Sequence, residues 1–269
     1  MIPIPRSIAR IPLVRGLFRV TMEGWQRLFH GRYSVERRLG LRLLLDQENA
    51  VDQQIFISGS WEPECVDQLF GMIEEERRHH AGEAIFLDVG SHWGLYSLLA
   101  HKTGYFSRIV AFEPDPTNYA QLQANLFLND ATVAIEPRQL AASDREATFG
   151  LILKTHRNRG GTRLAEEGET AQVTCRAVRL DDQLDFSGKL LVMKMDVESH
   201  ELAAIQGMMG LLSKNHCVLQ IEIWSATEEI LAKRLPFITE MLARHGIRWV
   251  KKIDSDYFFV SERKPSAGA

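Results

Sequence analysis

Two carboxylates and a glycine-bearing loop are the residues of this chain whose types and spacing first suggest chemistry. Asp88-Val89-Gly90-Ser91-His92-Trp93-Gly94 follows the apolar run Ile85-Phe86-Leu87 and leads into a stretch with Leu95, Leu98 and Leu99 at helical spacing. Glycine at 90 and 94 lets a ligand approach the backbone, and a helix N-terminus supplies free N–H donors. A carboxylate at 88 repels a pyrophosphate and suits an ammonium group. The dinucleotide pattern GxGxxG would need glycine at 92 and 95, where this chain has His92 and Leu95. Glu113 closes the next strand-like run, Arg108-Ile109-Val110-Ala111-Phe112. It stands about twenty residues after the loop, where an acidic side chain commonly grips both hydroxyls of a ribose. Hydrogen bonds to a charged acceptor contribute roughly 1.5–3 kcal/mol each.

A second group lies further on. Leu190-Leu191-Val192-Met193-Lys194-Met195 runs into Asp196, with Glu198 and His200 close behind, and Cys217-Val218-Leu219-Gln220-Ile221 runs into Glu222. These four are candidates for a general base. Asp196 ranks first because it sits where a strand meets the expected pocket, and His200 has an ordinary pKa suited to proton transfer. Asp196 and Glu222 would end adjacent strands and could share a divalent ion as hard oxygen ligands, although a metal is not the expectation. The His79-His80 pair is followed closely by Gly82 and reads as a solvated helix end.

Positioning these groups requires strands that alternate with helices. From residue 85 the chain does alternate: strands at 85–89 and 108–113, a third and irregular one at 132–140, and further runs at 149–153, 173–178, 190–196 and 217–224. Asp115 with Pro116 behind it is a helix start, and Leu202, Ile205, Met209 and Leu212 predict one helix after Asp196. Ile247 to Ile253 and Tyr257 to Val260 read as a closing antiparallel pair turned by Asp254-Ser255-Asp256. Such a doubly wound sheet binds its ligands beyond the carboxyl ends of the strands, which is where Asp88–Gly94, Glu113, Ala141–Ser143 and Asp196–His200 fall.

The ordered set Asp88-Val89-Gly90, Ser97, Ala111-Phe112-Glu113-Pro114, Ala141-Ala142-Ser143-Asp144, Lys194-Met195-Asp196-Val197-Glu198 and Ile221-Glu222 resembles FkbM-type methyltransferases. Arg179-Leu180-Asp181-Asp182, the loop Gly160-Gly161-Thr162 and, ahead of them, Trp61-Glu62-Pro63-Glu64 look like further pieces of the same family, so the likeness spans roughly residues 52–224. It implies a Rossmann-like class I sheet of seven mostly parallel strands with helices on both faces. It also implies S-adenosylmethionine as cofactor and, most often, O-methylation of a hydroxyl on a sugar, glycan or natural product. By that resemblance Asp88 and Gly90 border the methionine part, Glu113 holds the ribose, and Ala141–Ser143 lie near the adenine; Ser91, Gly94 and Ser97 are counted with them as cofactor-binding. The chain departs from the family at His92-Trp93, where a small residue or asparagine is usual, and at Ser199, where glycine is usual. Ser199 is read as a helix N-cap in an ordinary conformation.

Bulk properties narrow the field. Of 269 residues, 45% are hydrophobic and 25% charged, with a net charge of -3. Those values suit a globular domain with an appendage and argue against a dedicated nucleic-acid binder. The three cysteines stand far apart without a CxxC pair, which fits a reducing cytoplasm. Residues 1–45 carry nine arginines against two glutamates. The expected organisation is a mainly helical N-terminal segment over 1–80, a methyltransferase domain over 81–263 and a flexible tail at 264–269. Residues 1–30 could lie on an anionic inner membrane face or pack on the domain or on a second copy in a homodimer. A nucleotide-dependent oxidoreductase and a non-catalytic binding module stay open as alternatives.

Overall fold

The structure is a computed structural model that describes residues 31–154, 158–166, 168–224 and 227–263. Its centre is a seven-stranded sheet. Strands β3 (Ala84–Val89), β4 (Phe106–Phe112), β5 (Ile135–Arg138), β10 (Leu190–Met195) and β11 (His216–Glu222) are parallel. The closing pair β12 (Ile247–Ile253) and β13 (Asp256–Ser261) adds the antiparallel edge, and the order across the sheet is β12-β13-β11-β10-β3-β4-β5. β3 and β10 are buried at every position, as sheet strands covered on both faces must be. Two apolar clusters lie on opposite faces, one containing Phe86, Leu98 and Leu122, the other Leu87, Ile205 and Leu242.

The helices follow from local signals. α3 (Leu95–Thr103) follows β3. α4 (Pro116–Leu128) starts at Asp115, whose side chain accepts from the backbone N–H groups of Thr117 and Asn118. A smaller sheet, order β6-β9-β7-β8, comprises β6 (Ala141–Ala142), β7 (Ala147–Ile152), β8 (Arg163–Leu164) and β9 (Val173–Val178). α5 (Leu180–Gln183) follows β9, and α8 (Glu228–Ala243) precedes β12. Among the described residues no helix is long and apolar enough to cross a membrane.

Three expectations need correction. The helical reading of residues 1–80 holds for α1 (Ala50–Ser58) and α2 (Pro63–Arg77), but residues 33–46 form a hairpin, β1 (Tyr33–Arg38) and β2 (Leu41–Asp46). β1 alternates exposed and half-buried residues, and Leu41, Leu43 and Leu45 of β2 enter the core beside α4. The part of the segment over 1–30, with its membrane reading, and the tail at 264–269 lie outside the described residues. The third strand is shorter than expected, Ile135–Arg138, because residues 131–134 turn before it. The single helix expected over 202–212 is two, α6 (Glu201–Gln206) and α7 (Met209–Lys214). Gly207 sits between them with the carbonyl of Ser143 where a β-carbon would lie.

Candidate active site

Strand register builds the site. Val89 pairs with Met195 on one side and Phe112 on the other, and Met195 pairs with Ile221. The next residue on each strand therefore falls in one row along the carboxyl edge: Glu222, Asp196, Gly90, Glu113. The row is stitched by Asp196 N–H to the Val89 carbonyl at 2.8 Å, Gly90 N–H to the Phe112 carbonyl at 2.9 Å and Glu113 N–H to the Arg138 carbonyl at 3.1 Å. Gly90 has φ +80, and a β-carbon there would lie inside the carbonyl of Asp196. Only glycine lets the two strand ends close this tightly.

One cleft of about 1210 Å³, open solvent included, runs along this row. Of the residues expected to hold a cofactor, Asp88, Gly90, Ser91, Glu113 and Ala141 line it. Gly94, Ser97 and Ser143 are not on its wall and act behind it. Gly94 starts α3 and packs on Leu122. Ser97 donates from its N–H at 2.9 Å and its hydroxyl at 2.6 Å to Asp88 Oδ2. Ser143 is hydrogen-bonded to His200 Nε2 at 3.0 Å. The expected base candidates Asp196, Glu198 and His200, and also Glu222, line the cleft.

Burial dominates the electrostatics. It pushes the Asp88 carboxyl up to about 6, against the two Ser97 hydrogen bonds. Glu113 is pushed up to about 8 by burial and the nearby Asp115 charge, although its carboxylate accepts from Asp115 N–H at 2.9 Å and His92 N–H at 2.8 Å. Asp196 is raised well above the usual carboxylate range by burial, then by Glu222, with which it shares a hydrogen bond. Glu198 is raised to about 7 by burial and the same neighbour. Burial lowers His200, and it holds the His92 imidazole neutral with a pKa of about 3. Buried carboxylates crowded this way favour a cationic ligand.

Asp196 and Glu222, the pair expected to hold any divalent ion, stand side by side at the ends of adjacent strands on the cleft. They hydrogen-bond to each other, and Lys194 Nζ already stands 3.6 Å from Glu222 Oε2. Lys194 is buried, pairs with Asp256 at 2.9 Å and lies over the Tyr96 ring. Gln220 completes the network by donating to Asp256 Oδ1 at 2.7 Å and to the Tyr96 hydroxyl at 3.1 Å. The three-residue group of donor atoms found among the described residues is instead Glu62, Cys65 and Asp256. Asp256 is paired there with Lys194, and burial raises the Cys65 thiol well above its ordinary range.

Several residues in and behind the wall take parts that the sequence reading did not assign. Lys194 and Gln220 interrupt apolar strands and pair in register, a signal that was legible. Asn118 lines the cleft from the first turn of α4, with its amide donating to the Arg159 carbonyl at 3.2 Å. Buried Arg159 is itself held by Asp46 at 2.9 Å and Gln121 at 3.0 Å, so the hairpin fastens the Gly160-Gly161 loop over the site. Ser91 Oγ and Asn118 Oδ1 are buried and have no hydrogen-bond partner among the described residues. Trp61 and Glu62 reach the cleft from the connection between α1 and α2.

Ser199 is not the helix N-cap that was expected. It has φ +78, directly after Glu198 at φ +48, and the N-cap is His200. Tertiary contacts hold it there. Its N–H donates to Glu201 Oε1 at 2.8 Å and its carbonyl accepts from Arg234 at 2.8 Å, while Arg234 also pairs with Glu201. Placing Glu198 and His200 on the cleft thus takes two residues into the left-handed region, which costs non-glycine residues roughly 1–2 kcal/mol each.

The Methyltransferase FkbM domain matches residues 85–248 of the chain. The chain is 24% identical over 200 residues to the AMB antimetabolite synthetase AmbE of Pseudomonas aeruginosa, taking in 61% of this chain and 9% of that protein. It is 30% identical over 121 residues to methyltransferase sdnD of Sordaria araneosa, taking in 44% of this chain and 46% of that protein. It therefore spans less than half the length of either relative. Against the solved structure of Methyltransferase FkbM from Methylobacillus flagellatus, identity is 19% and the TM-score 0.46, covering 66% of this chain and 43% of that one.

Proposed function

The chain belongs to the FkbM methyltransferase family, and we propose that it transfers a methyl group from S-adenosylmethionine to a hydroxyl of a sugar, glycan or natural product. The observation that carries this reading is the row of carboxylates on one cleft: Glu222, Asp196 and Glu113 along the strand ends, with Asp88 two residues before Gly90 on the strand between Asp196 and Glu113. That row suits a ligand with a cationic amino-acid end and a ribose. When bound, the cofactor supplies an electrophilic methyl group on a positively charged sulfur.

The chain's own residues then have distinct tasks. Asp88, held by Ser97, accepts from the ammonium group, and Glu113 accepts from the ribose hydroxyls. Ser91 Oγ and Asn118 Oδ1, unpartnered on this wall, offer further polar contacts to the same ligand. Ala141 supplies an apolar surface for the base. The remaining wall positions the acceptor oxygen for in-line attack, and such positioning can supply on the order of 7–11 kcal/mol of barrier reduction. The acceptor proton passes to the hydrogen-bonded pair Asp196 and Glu222. Burial holds Asp196 protonated well above the usual carboxylate range, and a cation bound beside it favours its ionised form, so Asp196 becomes able to take the proton as the site fills. His200, tied to Ser143, and Glu198 flank it.

The test begins with calorimetry of the full chain against S-adenosylmethionine and S-adenosylhomocysteine. A folded protein that binds neither ends the proposal. An acceptor screen that detects released S-adenosylhomocysteine follows, with Asp196→Asn and His200→Ala assayed separately. Unimpaired turnover in both variants would overturn the account of proton removal.

A further inference from the structure

The cleft continues past the carboxylate row to two residues outside the matched domain. Trp61 and Glu62 belong to the connection between α1 and α2, and both line the same cleft as Asp196 and Glu222. Glu62 immediately precedes Pro63 at the start of α2, yet its side chain makes no capping hydrogen bond, and no described residue hydrogen-bonds to its carboxylate. Its backbone carbonyl alone serves the helix, accepting from Val66 N–H at 3.0 Å. The Trp61 ring is half-buried against the core, so it is a fixed wall rather than a free surface side chain. Resting on the reading of this cleft as a methyltransferase site, we propose that Trp61 and Glu62 form the acceptor subsite and take an uncharged, hydroxyl-rich ring.

Three features select that class. A tryptophan face beside an open carboxylate offers an apolar surface for the C–H side of a ring and acceptors for its hydroxyls. Glu62, Asp196, Glu198 and Glu222 give this end of the cleft four carboxyl groups, and Lys194 is already engaged by Asp256 and Glu222. An acceptor carrying a phosphate or carboxylate here would meet repulsion from Glu62, Asp196 and Glu222, beside which Lys194, the buried cation of this wall, is already paired. An acceptor carrying an ammonium would face the cofactor's positive sulfur at transfer distance, in a site where charges are weakly screened. Burial, with Asp256, Glu222 and Asp254 nearby, holds Glu62 up at about 7, and hydroxyl donors satisfy such a carboxyl in either protonation state.

The experiment uses the full chain saturated with sinefungin, an unreactive S-adenosylmethionine analogue whose amine carries positive charge in the place of the sulfonium. Saturation-transfer NMR is recorded with a panel of neutral methyl hexopyranosides, with glucuronate and with glucosamine. Neutral glycosides should give saturation transfer and the two charged sugars should not. Glu62→Gln and Trp61→Ala should each weaken glycoside binding at least tenfold, with sinefungin affinity within twofold of wild type, and Trp61→Phe should recover part of the loss. The proposal is overturned if no neutral glycoside binds, if glucuronate or glucosamine binds as well as the neutral sugars, or if glycoside binding survives both substitutions. Failure of the wild-type chain to bind sinefungin would instead strike the methyltransferase reading itself.

Discussion

Lys194 Nζ lies 2.9 Å from Asp256 Oδ1, and both side chains are almost fully buried. One comes from the middle of the parallel sheet and the other from the first residue of β13, the antiparallel strand next to the edge. Burial opposes the ammonium, but Asp256, Asp196 and Glu222 outweigh it and hold Lys194 well above the ordinary lysine range. Removing one partner of such a pair leaves the other charge buried and unpaired, at a cost of about 3–5 kcal/mol. Lys194→Met should lose stability of that order in urea unfolding. The double variant Lys194→Met/Asp256→Asn should lose clearly less than the sum of the singles. Additive losses would show that the pair is not coupled.

Glu113 should bind cofactor as a carboxylate, although burial raises it to about 8 in the empty fold. Binding at pH 7 should therefore release a proton, seen as a dependence of the calorimetric enthalpy on buffer ionisation heat. Glu113→Gln should abolish that release, and Glu113→Ala should weaken affinity at least about tenfold, or 1.4 kcal/mol. Unchanged affinity in folded Glu113→Ala would remove Glu113 from the cofactor site.

Stability should fall as pH rises from about 5 to about 8. Glu62 and Glu198 are raised by burial to about 7 and Glu113 to about 8, against an ordinary value of 4.5. Across this window the folded chain keeps protons that the unfolded chain has released, so each step up in pH favours unfolding. The trend should flatten above about 8, where both states are ionised. Thermal melts in buffers spanning the window check it, and Glu113→Gln should shallow the slope. A melting temperature that climbs between pH 5 and 8 would contradict the assignment.

Ser199→Gly should stabilise the fold. At φ +78 serine carries a steric cost of about 1–2 kcal/mol that glycine lacks, while glycine's larger unfolded-state freedom returns part of the gain. A net increase of about 0.5–1 kcal/mol is expected, or about 2 °C in Tm for a chain of this size. Ser199→Ala should show no comparable gain. A lower Tm for the glycine variant would mean that the serine side chain contributes a contact outweighing its strain.

Gly90→Ala tests the close approach at the row of strand ends. A β-carbon there would occupy the Asp196 carbonyl, so strands β3 and β10 would have to separate at the site. The variant should lose on the order of 3 kcal/mol of stability and its affinity for S-adenosylhomocysteine. Retention of both would show that the loop can open without consequence.

The local part of this design was readable from residues alone. Apolar runs ending in Asp88, Glu113, Asp196 and Glu222 specify buried parallel strands whose carboxyl ends carry charge, and Asp115-Pro116 specifies a helix start. Both depend on neighbours a few positions away. What the tertiary structure decided depends on contacts between distant segments. The hairpin over residues 33–46 exists because its three leucines find the core beside α4, and its Asp46 reaches across the fold to Arg159. Trp61 and Glu62 reach the cleft through the packing of the helices on either side of them. Ser199 takes a left-handed conformation because Glu201 and Arg234 hold its backbone from both sides. Periodicity and capping act over one or two turns of chain, whereas register between strands and the docking of one segment on another are set only when the whole chain closes on its core.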